Sequence, residues 1–242
     1  MNYFEYAGVN SDYMGLRIEK KDVFSAPKYE TEFTAIPGRN GDLISPNGRY
    51  GNVQVVYSVF LPAKSKEELA DKISAVKAWL YAEPNVYHEL RDTYDEKYFR
   101  KAVFASKLDI EDELNRIGVF TISFSCLPFR YAVDGFNEIS VSSGTVIENH
   151  TAFEAKPYIM LTGNGSGTLT ITSPGSKKSW TFSNIQQYIE IDSDLMNFYK
   201  GSTPENDAVE GEGFPILYPG GNTFTFSGGI TGAYVMPRWV TL

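Results

Sequence analysis

The chain has 242 residues, 14% of them aromatic, with 16 Tyr, 16 Phe, 21 Gly, one cysteine and a net charge of −8. That length fills one large or two ordinary domains, and the aromatic- and glycine-rich makeup is that of strands and turns. A sequence pI near 4.9 excludes a basic nucleic-acid surface. The lone Cys126 excludes internal disulfides and multi-cysteine metal sites, and no apolar run reaches the roughly 18 residues of a membrane span. The N-terminal Met1–Tyr6 has neither the basic region nor the apolar stretch of a secretory signal, so synthesis in the cytoplasm is expected.

In chain order, the first informative stretch is Ile36-Pro37-Gly38-Arg39-Asn40-Gly41-Asp42-Leu43-Ile44. Pro37 fixes φ and lacks a donor while Gly38 and Gly41 admit positive φ, so the backbone turns sharply and is not helical. Three uses fit such a turn: a phosphate cradle, a plain hairpin, or a loop that meets another protein. The glycine spacing matches neither a P-loop nor a dinucleotide fingerprint, no helix follows, and Asp42 repels phosphate, which removes the first use. Asn52–Leu61 reads as a strand ending at Pro62. Ser65 and Glu68 have capping-box spacing, and Leu69, Ile73, Val76 and Leu80 share one face, predicting a helix over 65–81. Tyr98–Ser106 reads as a strand. Residues 118–126 alternate Gly118, Phe120, Ile122, Phe124 and Cys126 against Val119, Thr121, Ser123 and Ser125, predicting a half-buried antiparallel strand.

Residues 1–133 carry 17 Lys and Arg against 19 Asp and Glu, and the remainder 5 against 11. This shift, with the turn residues Asp134-Gly135, places a domain boundary between 133 and 134. Residues 1–133 are expected to form a β-sandwich or open barrel with one packed helix. Residues 134–242 show no helical pattern, only short strands at 157–162, 168–172, 179–182, 188–191, 223–227 and 233–242, parted by turns such as Gly163–Gly167. They predict a mainly β, jelly-roll-like sandwich. Ser202–Gly213 lacks apolar periodicity and is expected to be a flexible surface loop.

Catalytic constellations are thin. His88 falls in a strand and His150 in a loop, one per half, and ordinary structural or surface roles suit both. Cys126 shares the inward register of its strand and is expected to be an inert core thiol. Glu190, Asp192 and Asp194 put carboxylates on alternate residues, which fits a Ca²⁺-facing cluster or a solvent face. No EF-hand spacing accompanies them, and Asp109, Glu111, Asp112 and Glu113 read as a solvated strand end. No cofactor, metal site or acid–base pair is expected. Trp180, Tyr188, Tyr199, Tyr218 and Tyr234 supply an alternative reading, a stand-alone carbohydrate-binding module, although alternation with polar residues also suits core packing.

The order of segments carries more. Gly8-x-x-Ser11-x-x-Met14-Gly15-Leu16, the Ile36–Gly41 turn, Val76-Lys77-Ala78-Trp79-Leu80, Leu90-Arg91-Asp92 and Phe120-x-x-x-Phe124-x-Cys126-x-Pro128 follow one another in the first half. Lys156-Pro157-Tyr158-Ile159, Tyr188–Ser193, Phe214–Asn222 and Pro237-Arg238-Trp239 follow in the second. In this order they resemble the distal tail proteins of siphophage-type bacteriophages and prophages of Gram-positive hosts. The resemblance implies a tail-tube-like domain over 1–133 that forms a homo-hexameric ring at the virion tail tip. The ring joins the tail tube protein to the tail-associated lysin or baseplate hub, without catalysis. It further implies a galectin-like or carbohydrate-binding-module-like domain over 134–242, where receptor-binding proteins attach. Within this reading Pro37, Gly38, Arg39, Asn40, Gly41 and Asp42 form a candidate assembly interface, Arg39 offering a donor fork and Asp42 an acceptor.

Overall fold

The computed structural model describes residues 2–113 and 116–242. The chain divides into two compact units, one ending at Arg130 and joined by Leu242, the other spanning Tyr131–Thr241. The strands of the first are β1 (Phe4–Tyr6), β2 (Val9–Asn10), β3 (Arg17–Asp22), β4 (Tyr29–Thr34), β5 (Leu43–Tyr50), β6 (Val53–Pro62), β7 (His88–Asp92), β8 (Tyr98–Val103), β9 (Ile110–Glu113) and β10 (Ile117–Ala132). Helix α1 (Lys66–Leu80) lies between β6 and β7.

The β6 alternation buries Val53, Val55, Tyr57, Val59 and Leu61, and β10 buries Phe120, Ile122, Phe124 and Cys126 against it in antiparallel register. Strand β10 extends beyond the predicted end at 126, and its pairing with β6 stops at Cys126↔Val53, before Pro128 removes a donor. The predicted 98–106 strand ends at Val103. Helix α1 forms where expected. Ser65 Oγ accepts the Glu68 N–H, and the Glu68 carboxylate accepts the N–H of Lys64, one residue earlier than a capping box prescribes. Leu69, Val76 and Leu80 are buried, and the Trp79 indole donates to the Tyr6 carbonyl at 3.1 Å.

One sheet runs in the order β2-β1-β7-β8-β10-β6-β3, with β9 also paired to β10. Strands β1 and β6 are four steps apart, about 19 Å if the sheet were flat. The rings of Phe4 (β1) and Tyr57 (β6) nevertheless stack at 4.4 Å, and Phe4 meets Phe124 edge-on at 5.6 Å. The sheet therefore curls on itself around an aromatic core, with α1 packed against it as expected. Among the described residues strands β4 and β5 belong to none of this and pair only with each other. The sequence pattern missed β5 because it contains Pro46-Asn47-Gly48. A bulge absorbs Asn47–Arg49 opposite Glu30, between the pairs Tyr29↔Tyr50 and Thr31↔Pro46.

The second unit contains β11 (Ile139–Val141), β12 (Val146–Asn149), β13 (Tyr158–Ser173), β14 (Ser176–Asp192), β15 (Asn197–Lys200), β16 (Thr203–Pro204), β17 (Val209–Gly211) and β18 (Gly220–Met236). Each pair of predicted short strands is one long strand. Gly163–Gly167 is a corner inside β13, not a turn between strands. Strand β13 pairs with β14 and β18 along both halves, whereas the two halves of β14 and of β18 take different outer partners. β18 pairs with β12 through 220–223 and with β11 through 233–235, and β14 pairs with β17 through 180–182 and with β15 through 190–192. Long strands that pass from one layer to the other at a bend make a two-layer β-sandwich, the expected class. At the corner the β13 and β18 backbones touch. A Cβ on Gly163 would lie 2.2 Å from the Gly229 carbonyl oxygen, and one on Gly229 would lie 1.8 Å from that of Asn164.

Ser202–Gly213, expected as a flexible loop, is instead ordered by β16, a 3₁₀ turn at Asn206–Ala208 and β17. Asn206 Oδ1 accepts the Phe198 N–H, and the Trp180 indole donates to the Gly213 carbonyl at 2.8 Å. Short polar segments tied by backbone pairing leave no apolar period to read.

Gly229→Ala is expected to lower the melting temperature of the full chain by at least about 6 °C, since a backbone clash costs more than about 2 kcal/mol. Gly144→Ala, at a positive-φ turn with open space around it, serves as the control and should cost only about 1 kcal/mol. Equal melting temperatures by calorimetry would show that the corner relaxes.

Candidate assembly surface

The hairpin β4–β5 is an exposed arm in which every residue from 32 to 49 faces solvent. Its root is fixed. Tyr29 packs edge-on against Tyr50 at 5.0 Å, and Tyr50 against Phe129 at 5.6 Å. The Gly51 N–H donates to the Lys28 carbonyl at 2.9 Å, and Arg49 pairs with Glu30 at 3.2 Å. Beyond the root, Phe33 lies opposite Ile44 and Thr34 opposite Leu43. Phe33 is 66% exposed, Ile44 61%, Leu43 46% and Ile36 37%. A two-stranded ribbon is marginal in water, and bare apolar side chains on it invite a partner.

The candidate interface residues Pro37–Asp42 form the tip of this arm. The Arg39 N–H closes a turn onto the Ile36 carbonyl at 3.1 Å, with Gly38 and Gly41 at φ of +79° and +83°. Arg39 and Asp42 pair neither with each other nor with any described residue. Both charges are therefore free to meet another surface. The apolar pair behind the tip, Phe33 and Ile44, escaped the sequence reading, although Leu43-Ile44 flanks the turn and Phe33 alternates with Thr31 and Ala35.

Other singled-out residues have local partners. Cys126 is buried, and burial pushes its thiol up to about 12. His88 contacts Glu83 at 3.1 Å and the edge of Tyr6, and His150 is exposed. Asp109 pairs with Lys107 at 2.7 Å and Glu111 is exposed, whereas the side chains of Asp112 and Glu113 lie outside the described residues. Among the described residues no group of His, Cys, Asp and Glu could hold a metal ion. Trp180 is a core residue, and Tyr188, Tyr199 and Tyr218 are half-buried, leaving Tyr234 as the one of those five aromatics that is exposed.

The Glu190–Asp194 run is resolved by contacts the sequence did not disclose. Glu190 accepts from the Tyr158 hydroxyl at 2.7 Å and the Gly201 N–H at 2.8 Å. Asp192 is buried, forms a two-point pair with Arg238 at 2.8 and 2.8 Å, and accepts the N–H groups of Asp194 and Leu195. Arg238 holds a φ of +57° while its N–H donates to the Gly135 carbonyl. The carboxylate thus pins the segment that leaves β18.

Residues 11–126 match the family model described as the phage tail protein RIFT-related domain. The crystal structure of the Dit protein of phage SPP1, described as a paradigm of the hub adsorption apparatus in Gram-positive-infecting phages, superposes over 100% of both chains with a TM-score of 0.79 at 11% identity. The chain thus matches that phage tail domain family over residues 11–126 and shares the fold of the SPP1 Dit protein over its full length. Two chains from phage P2 baseplates in the activated conformation, one with Ca and one with Sr, match at a TM-score of 0.51 and 11% identity over 97% of each chain. No curated protein matches the chain significantly. No helix among the described residues is long and apolar enough to cross a membrane.

The Asp192–Arg238 pair generates a pH prediction. Burial works to raise the Asp192 pKa, but Arg238 and the two backbone N–H groups prevail and hold it below the ordinary 3.8. A depressed folded-state pKa contributes stability that is present above pH 3.8 and lost as pH falls through the lower folded value. Asp192→Asn should therefore cost about 3–5 kcal/mol at neutral pH by stranding Arg238, and should flatten the pH dependence of stability below about pH 4. Denaturant titrations from pH 7 to 2.5 check both.

Proposed function

We propose that this chain is a distal tail protein of the virion tail that closes into a hexameric ring at the tail tip through head-to-tail contacts, with the β4–β5 arm lying on the neighbouring protomer. The ring joins the tail tube to the tail-associated lysin or baseplate hub, and the second unit carries receptor-binding components. The role is structural, without a catalytic step, in line with the resemblance to tail and baseplate proteins.

The observation that carries the reading is the arm itself: a ribbon that pairs with no other strand among the described residues, showing Phe33, Leu43 and Ile44 to solvent and ending in Arg39 and Asp42, which pair with no described residue. Covering those three apolar side chains contributes roughly 1.5–3 kcal/mol each. An arm that reaches from one protomer to a different face of the next makes a heterologous contact, and such contacts close into rings when the rotation permits. Arg39 offers a planar fork to a carboxylate across the seam, and Asp42 an acceptor, which fixes register more than it adds affinity.

Purified protein mixed with tail tube protein should give six-fold rings in negative-stain images, with a matching mass by light scattering. Phe33→Ser with Ile44→Ser should leave the melting temperature of the protomer within about 2 °C of the parent, as expected of exposed positions, and abolish the rings. Arg39→Glu should weaken them. Rings that survive the double substitution would remove the arm from the seam, and a parent protein that never forms rings would remove the ring.

A further inference from the structure

Four buried side-chain polar atoms lack a hydrogen-bond partner among the described residues, and three belong to residues lining one pocket: Asp92 Oδ2, Arg100 Nη1 and Arg130 Nε. The pocket lies in the first unit beside Tyr57, Tyr94 and Tyr98 and has a volume of about 30 Å³. Arg100 is 9% exposed, and its guanidinium makes one long bond, Nη2 to the Val23 carbonyl at 3.4 Å.

Around the pocket the side chains of Lys21, Arg100 and Arg130 face two carboxylates, Asp92 and Asp95, and Arg130 Nη2 also donates to the Leu242 oxygen at 2.8 Å. Lys21 pairs with Asp92 at 2.7 Å, and Arg130 pairs with Asp95 at 2.8 Å. Among the described residues Arg100 has no carboxylate of its own, and Arg130 adds repulsion. A guanidinium does not shed its proton near neutral pH, so the burial leaves one positive charge uncompensated in a poorly solvated place. Two N–H donors, Arg100 Nη1 and Arg130 Nε, are unspent at the same cavity. A single water needs about 10–15 Å³ and can accept both N–H groups, but it leaves the charge standing. A chloride-sized ion satisfies the donors and the charge together. Asp92 Oδ2 is also on the wall, and its carboxylate is already neutralised by Lys21.

We propose that this pocket binds one small monovalent anion, of chloride size, between Arg100 and Arg130. The ion locks β8, which carries Arg100, to the Val23 segment and to the end of β10, which carries Arg130.

The full chain tests this in two ways. Crystals grown in bromide should show an anomalous peak beside Arg100 Nη1. Thermal melts at fixed ionic strength, with chloride replacing gluconate, should rise by roughly 3–6 °C for each tenfold increase of chloride above its dissociation constant. Arg100→Met should abolish that rise, and Arg130→Lys, which keeps the charge but removes Nε, should weaken it should the first variant not fold. Identical melts in the two salts, a water in place of the peak, or a bromide peak without chloride-dependent melting (an adventitious ion only) would each overturn the proposal.

Discussion

A sheet that curls on itself has one interior, and in the first unit that interior is already filled. Phe4, Tyr6, Tyr57, Trp79, Phe104 and Phe124 form a continuous aromatic cluster that brings β1 against β6 and seats α1. Strands β1, β6 and β10, helix α1 and Phe104 supply its rings. The β4–β5 ribbon reaches no such interior, so its apolar residues stay outside. Closing the barrel-like core and exposing the arm are two results of one constraint.

The second unit solves a different geometric problem. Its three long strands serve two layers each, and they change layer where Gly163 and Gly229 let two backbones approach more closely than any side chain allows. Side chains from both halves of β13, such as Ile159, Leu161, Leu169 and Ile171, then enter the same core. At the end of β18 the buried Asn222 bonds with Tyr218, Gly220, Ile147 and Ser173, holding the Phe214–Gly220 segment across the sandwich. Polar groups of this kind are stable inside only when every donor and acceptor is used.

Buried charge follows the same rule in one place and breaks it in another. Asp192 and Arg238 are both satisfied, and their pair holds a left-handed arginine that a chain would not otherwise adopt. Arg100 is buried without a counter-charge, which is the reason to look for an ion there.

The sequence by itself determined what depends on near neighbours. Helix α1 and its cap, the β6 and β10 alternations, the inward Cys126, the turn at Pro37–Asp42 and the all-β character of the second unit were legible, because each rests on local dihedral preference or a short period. Segment order was enough to point to the distal tail proteins. Tertiary structure decided the rest. Glycines at 163–167 read as a turn but form a bend within one strand, because what they accommodate is the backbone of Gly228–Ile230, far along the chain in β18. Pro46-Asn47-Gly48 hides β5 from any strand pattern, yet Pro46 pairs with Thr31 and the bulge beside it takes up Asn47 and Gly48. Ser202–Gly213 carries no period, yet it is tied down by β14 and β15. Whether Phe33 and Ile44 are core or contact surface was likewise undecidable from alternation, since the pattern marks which residues share a face and only the packing of the whole chain says what that face meets.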